Sequence, residues 1–456
     1  MNAITHSDSS QYLNAPSIFK WRHAYQMLDW LDDSYLNISH EAIDKHMHGD
    51  RKDQNALVWK SLSGRTRTFT FTQLKVLTDK FANVLKSLGI QKGEVILISL
   101  GDVPELYVSF YGILKVGAIV GILPSDMGLE VVKWHMKKTG AKVLITTLEF
   151  RFRFQEIIPE LFELQHIIIV DTDNTGLFYM DPSDLSFDNE MGKASSQFDI
   201  VRTIQNDEAI IIFSKDSSGY PRGLLYRHQS VAELMIMGNW VLDLYCGDKY
   251  WSMLDNHSFA GIGYGIISPL VNGATVFIDQ NEYTALQCYG KIQSDEISIW
   301  CITPTIIRVL MENKEEFSLD STAFKNLRVV ANIGTQLSRE ALLWGREVLG
   351  VCIHNGWGFY ESGGLICSNY RCDDIRPDSI GLPFPGIELE VMDDNCNPVR
   401  PGTIGSLAIW PEYPSMVSGY WQDMEAYRDM FVNGWYVTKY YVRVDTDGYF
   451  RYCGER

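Results

Sequence analysis

Apolar residues along this chain keep two alternating rhythms. Leu74, Leu77, Phe81, Val84, Leu85 and Leu88 recur at helical spacing, with Thr72 placed as the cap and Gly89 as the stop. EVILISL (Glu94–Leu100) then runs as a continuous apolar strand, and Pro104 opens a second helix over PELYVSFYGILKVGA. AKVLITT, HIIIVD, EAIIIFS, ATVFID, SIWCIT and LRVVANI repeat the pattern, each short and rich in branched side chains. Continuous apolar strands between helices predict an α/β fold with mainly parallel sheets covered on both faces. Past about Arg376, short strands broken by Pro and Gly (IELEVMDDNCNPVRPGTIGSLAIW) predict a smaller antiparallel or barrel-like unit.

Composition narrows the classes of function. With 456 residues, 46% of them hydrophobic, the chain can fill two or three packed units. A net charge of −17 argues against binding nucleic acid through its phosphates. No run has the apolar length of a membrane span, and MNAITHSDSS lacks the basic and apolar regions of a secretory signal. The eight cysteines form no C-x-x-C, which fits reduced thiols better than a disulfide framework or a zinc site. The expected location is cytoplasmic, with neither nucleic acid nor membrane as a partner.

Candidate chemistry starts at IIFSKDSSGYPRGLLYRH, Ile211 to His228. A strand gives way to small residues and then to Pro221, Arg222 and Gly223. Small residues admit backbone N–H groups to an anion, and a basic residue adds charge. Taken alone the loop is unspecific. Its order with YLNISHEAIDKH, YGIISPLVNGATVFI, ITPTIIRVLM, IHNGWGFYESGG, IRPDSIGLPFPG, VRPGTIGSLAI and NGWYVT…DTDGYF is not. Together these blocks resemble the adenylate-forming acyl-activating enzymes, and within them the acetyl-CoA synthetases and their short- and medium-chain relatives. The resemblance runs from about Leu36 to the last residue.

The resemblance implies a two-step ligase. ATP and a carboxylic acid give an acyl-adenylate and pyrophosphate, and coenzyme A then takes the acyl group. It also implies a lead over residues 1–36 and a first α/β subdomain over 37–205. A second α/β subdomain over 206–375 would carry the phosphate loop and acyl pocket, and a β-barrel-like subdomain would span 376–456. The nucleotide is expected between them at strand ends, where open α/β sheets bind ligands. In the family a C-terminal lid then supplies a lysine. The sequence stops at CGER, where that lid would begin. The expectation is negligible acyl-CoA formation by these residues alone, far below an ordinary rate of about 10 per second.

Mapped onto the family's blocks, Ser217, Ser218 and Gly219 keep the phosphate loop and Arg222 its basic residue. Lys215 and Asp216 depart from it. Asp216 sets a carboxylate where triphosphate passes, and each like-charge pair near 4 Å is worth about 4 kcal/mol at an effective dielectric near 20. Glu361 keeps the carboxylate that helps relatives hold Mg²⁺, and Tyr360 replaces a phosphate-contacting threonine. Asn355, Gly356 and Trp357 belong to the same block, and Gly334 to an adenine-side G-E-P that reads Gly334, Thr335, Gln336 here. Relatives place a ribose-binding aspartate after the W-Y pair. Here Trp435 and Tyr436 lead to Val437, Thr438, Lys439 and Tyr440, and the following G-R is Gly454, Glu455.

For the acyl pocket, Gly358 stands where acetate-specific relatives carry a tryptophan. Ser258, beside His257 and Phe259, stands where relatives carry an aromatic or histidine. The glycine at 358 implies an acid or acyl group larger than acetate, with Phe359 and Phe259 placed to refill part of the space. ATP or AMP, Mg²⁺ and coenzyme A are the implied cofactors, on a site altered at most contacts. Two readings follow. One is an acyl-AMP or acyl-CoA ligase with an unusual ATP site. The other is a former ligase that no longer adenylates; it would act as a binding or partner subunit beside a carrier protein or partner enzyme, or run acyl chemistry without ATP. GIGYG (Gly261–Gly265) lacks the context of a dinucleotide fingerprint, and HMH at His46–His48 reads as a solvated helix end rather than a metal site.

Overall fold

The computed structural model describes residues 19–456 except 62, 125–126, 173–180, 216–220, 281–282, 314–323, 335 and 370–374. Among the described residues the strands form three sheets. An eight-stranded sheet runs in the order Gly419–Tyr420, Pro221–Arg227, Glu208–Lys215, Ile119–Ile122, Val95–Ser99, Val143–Thr147, His166–Val170, Leu185–Ser186. The nine-stranded sheet runs Leu382–Pro383, Cys367–Asn369, Ile353–Trp357, Val329–Ile333, Ile299–Ile302, Lys249–Ser252, Thr275–Asp279, Asn55–Lys60, Thr66–Thr70. The third, five-stranded and antiparallel, is built on Ile404–Ile409 and Trp435–Val444.

The central strands of both large sheets pair in parallel, as the continuous apolar runs predict. Val95–Ser99, Ile299–Ile302 and Val329–Ile333 are buried along their whole lengths. The sheets do not follow the linear division at residue 205. Glu208–Lys215 and Pro221–Arg227 extend the sheet of Val95–Ser99, while Asn55–Lys60 and Thr66–Thr70 complete the sheet of Thr275–Asp279.

The helix Phe71–Ser87 is capped by Thr70, not Thr72. The Gln73 N–H donates to Thr70 Oγ1 at 3.2 Å, and the Thr70 N–H donates to Gln73 Oε1 at 2.9 Å. This reciprocal pair satisfies two otherwise orphaned donors, while the Thr72 hydroxyl turns to the Lys52 carbonyl. The next helix, Pro104–Lys115, is buried almost all round and carries Lys115 into the core. There Nζ lies 2.6 Å from Asp79 and 2.8 Å from Asp44, with Lys75 2.5 Å from the other oxygen of Asp79.

Two sequence expectations fail. His46 is buried, its Nε2–H donating to the Leu270 carbonyl at 2.8 Å and its ring packed on Phe71, so HMH is not a solvated helix end. Burial holds its pKa down to about 3. Cys352 is disulfide-bonded, so the cysteines are not uniformly reduced. The other six described cysteines are free. No helix among the described residues is long and apolar enough to cross a membrane.

Candidate functional site

The strand Ile353–Trp357 is buried throughout and ends where the three sheets meet. Beyond Trp357 the chain turns tightly through Tyr360–Ser362. The Ser362 hydroxyl accepts from the Phe359 N–H at 2.9 Å, which holds the turn closed. Gly363 follows at φ +65°, and a Cβ there would lie 1.9 Å from the Ser415 carbonyl oxygen. Only glycine fits such a position.

This turn presents Glu361 to its neighbours. The Tyr226 hydroxyl of the eight-stranded sheet donates to the Tyr360 carbonyl at 2.7 Å, and the Val417 N–H donates to the Glu361 carbonyl at 3.1 Å. The Tyr420 hydroxyl donates to Glu361 Oε1 at 3.2 Å and sits 3.0 Å from the Tyr436 hydroxyl. Arg222, at the start of Pro221–Arg227, lays its guanidinium 4.7 Å from the centre of the Tyr420 ring. Burial pushes the Glu361 carboxyl above the ordinary glutamate range, opposed by the Tyr420 hydroxyl and the charges of Lys439 and Arg222. The result is a carboxyl embedded in tyrosine hydroxyls with two cations nearby.

Gly334 lies beside the same strand end, its N–H donating to the Gly356 carbonyl at 3.1 Å. Asn355 is buried and accepts from the Asn332 amide at 2.5 Å. Phe259 packs edge-on to Tyr360 at 5.5 Å. Tyr440 lies 4.8 Å from Phe359 and 5.7 Å from Trp357, ring centre to ring centre, with Tyr452 behind it at 6.3 Å. Arg222, Gly334, Asn355, Gly356, Trp357, Gly358, Phe259, Tyr360 and Glu361 therefore converge on one seam. Asp216, Ser217, Ser218, Gly219 and Tyr220 lie outside the described residues.

The acyl-pocket residues divide. A Cβ on Gly358 would lie 2.1 Å from the Gly364 carbonyl oxygen, so that direction is already filled by backbone. The glycine therefore opens no space in its own Cβ direction. Ser258 folds its hydroxyl back to accept from the Gly261 N–H at 3.0 Å and leaves no bulk at its own position. His257 instead lines a cavity of about 500 Å³ at the C-terminal ends of both parallel sheets, with Trp251, Tyr283, Leu123 and Asp102.

Asp102 accepts a hydrogen bond from the Asn256 amide. Burial, with Asp279 and Asp255 adding like charge, pushes its pKa up to about 7. The folded state therefore keeps this proton where the unfolded chain loses it. Stability should fall as pH rises from the ordinary carboxylate range to about 7 and level off above. Asp102→Asn removes that fall. We expect its stability relative to wild type to rise by on the order of 2 kcal/mol between pH 5 and 8 in urea unfolding. A difference that does not change with pH would contradict the assignment.

Sequence reasoning missed Tyr420, Tyr226 and Asp102. The partner of Tyr420, Glu361, is 59 residues away, beyond the reach of any local pattern.

A coenzyme can be tested against this geometry. The space a Cβ would take at Gly356 is filled by the Leu365 side chain and at Gly334 borders Pro304, so neither glycine opens its Cβ face to a flat group. A single carboxylate such as Glu361 suits Mg²⁺, which takes most of its ligands from phosphate and water. The Tyr440 ring is not a ribose acceptor.

Comparison with known proteins agrees with this architecture. Residues 44–421 match the family profile described as AMP-binding enzyme. The chain is 33% identical over 438 residues to the acetyl-coenzyme A synthetase of Bacillus subtilis (strain 168), covering 96% of this chain and 75% of that protein. It is 26% identical over 451 residues to the acetyl-coenzyme A synthetase of Psychromonas ingrahamii, covering 94% and 69%. Among solved structures it resembles the Brucella canis acyl-CoA synthetase, with a TM-score of 0.87 at 22% identity over 97% of this chain and 79% of that one. It also resembles the anthranilate CoA ligase AuaEII in complex with anthranoyl-AMP, with a TM-score of 0.82 at 25% identity over 92% and 78%.

Proposed function

Because the chain belongs to the AMP-binding enzyme family, among the acyl- and acetyl-CoA synthetase-type adenylate-forming ligases, we propose that it binds a carboxylic acid or its activated acyl group at the Glu361 seam, with a weakened hold on ATP. One observation carries the reading. Glu361 stands at the junction of three sheets, bonded to Val417 and Tyr420, with Tyr226 holding the neighbouring Tyr360 carbonyl and Arg222 lying over the Tyr420 ring. Such a seam can hold an anion against a cation while a carboxylate approaches a metal ion or a hydroxyl.

In this reading Arg222, with Ser217, Ser218 and Gly219 from the loop, faces the phosphates. Glu361 is the Mg²⁺ ligand, Tyr360 a neighbouring hydrogen-bond donor, and Gly334, Asn355, Gly356 and Trp357 the base platform. ATP or AMP, Mg²⁺ and coenzyme A are the cofactors in play. The acid is larger than acetate. With Gly358 filled by backbone, that size argument now rests on the small Ser258 beside Phe259.

A thermal-shift series tests the reading, using acetate, propionate, hexanoate and benzoate alone and with AMP. Hexanoate or benzoate should protect the fold better than acetate. Equal or better protection by acetate would refute the size argument, and no protection by any acid would refute the acyl reading.

The packing of Tyr440 on Phe359 and Trp357 favours a second reading, in which the chain binds acyl groups without adenylating them. Pyrophosphate release across a panel of acids separates the two.

A further inference from the structure

We propose that Tyr440 decides which ligands the seam admits, by filling with its own ring the space in front of the strand end Ile353–Trp357. The inference rests on the proposed adenylate-forming site and adds a cause that loss of a ribose acceptor does not contain.

The strand Trp435–Val444 is irregular between Val437 and Tyr441, so its side chains are placed by their contacts and not by simple alternation. Tyr436 reaches Tyr420, the donor to Glu361, and so lies at the seam. The Tyr440 ring meets Phe359 at 4.8 Å and Trp357 at 5.7 Å, both residues almost fully buried. Tyr452, from the neighbouring strand Phe450–Glu455, closes the group against Trp357 at 6.2 Å and Tyr440 at 6.3 Å. Four rings thus bridge the antiparallel sheet to the C-terminal end of a parallel strand, the place where open α/β sheets take ligands. Ring pairs at these separations are favourable contacts in their own right. A nucleoside entering here must displace the Tyr440 ring and break them. A small acid or acyl group approaching from the Phe259 and Tyr360 side need not. The substrate class this selects is a carboxylate or acyl group carrying no nucleoside.

The two causes of weak nucleotide binding come apart in substitutions. If volume matters, removing the ring without adding an acceptor should help. Calorimetry of AMP and ATP on the full chain compares wild type with Tyr440→Val, Tyr440→Ala, Tyr440→Phe and Tyr440→Asp. Valine suits a strand and guards against a variant that merely unfolds. We expect Tyr440→Val or Tyr440→Ala to bind AMP at least about tenfold more tightly than wild type. Tyr440→Phe should match wild type, and Tyr440→Asp should be tightest.

The proposal is overturned if the valine and alanine variants bind like wild type while only aspartate gains, or if phenylalanine gains as much as alanine. No binding of AMP or ATP by any variant, aspartate included, overturns both this proposal and the adenylate-forming site beneath it.

Discussion

Titrated with ATP and Mg²⁺, this chain should show no saturation below the millimolar range. At the position where the resemblance places an aspartate accepting from both ribose hydroxyls, the side chain is Tyr440. Losing two hydrogen bonds to a charged acceptor removes about 1.5–3 kcal/mol each, or about 3–6 kcal/mol together. About 4 kcal/mol separates a micromolar site from a millimolar one. The lost acceptor alone covers about three quarters of that gap at the low end of the range and all of it at the high end, before Asp216 or the packed Tyr440 ring is counted. Arg222 and Glu361 remain at the seam, so some affinity for phosphate should persist and should fall with added salt. Calorimetry with and without Mg²⁺ decides the matter. Saturation at low micromolar ATP, or Tyr440→Asp leaving the affinity unchanged, would sink the argument.

Lys115→Met should destabilise the fold by about 3–5 kcal/mol. The ammonium group has no solvent exposure and is bracketed by Asp79, equally buried, and Asp44, which is 11% exposed. Methionine fills the volume but strands both carboxylates, and a buried charge without its partner is expensive. Lys75 is 29% exposed and bonded to the other oxygen of Asp79, so it can neutralise only part of the deficit. Urea unfolding measures the loss. Converting Asp79 to Asn in the same chain should recover part of it, because the two changes share one network. A single-variant loss below about 1 kcal/mol would show that Lys75 and water suffice.

What the sequence made legible, and what it hid, follows from the range of each interaction. Val95–Ser99 and Val329–Ile333 are readable because burial on both faces demands apolar side chains at every position. Glu361 was found because its turn is a compact local block. Thr70 and Thr72 are equally good caps on paper; the choice of Thr70 depends on where Gln73 points. His46 looked solvated because its cover, Leu270, comes from 224 residues away. Gly358 seemed to open a pocket, but the chain folds back six residues later and puts the Gly364 carbonyl there. Sheet order is the most distant property of all, and no local pattern distinguishes which sheet Glu208–Lys215 will join.

That interleaving bears on how the chain is made. Leu57 pairs with Val276, so the strand Asn55–Lys60 waits for a partner more than two hundred residues downstream. At ribosomal rates of about 5–20 residues per second, the wait is roughly 10 to 40 s. During it the hairpin Asn55–Thr70 holds an open sheet edge, a template for wrong pairing. High contact order of this kind slows folding. A nascent-chain proteolysis series should therefore find the hairpin cleavable until residues past Asp279 have left the ribosome. Its protection should then arrive in a single step, with closure of the nine-stranded sheet.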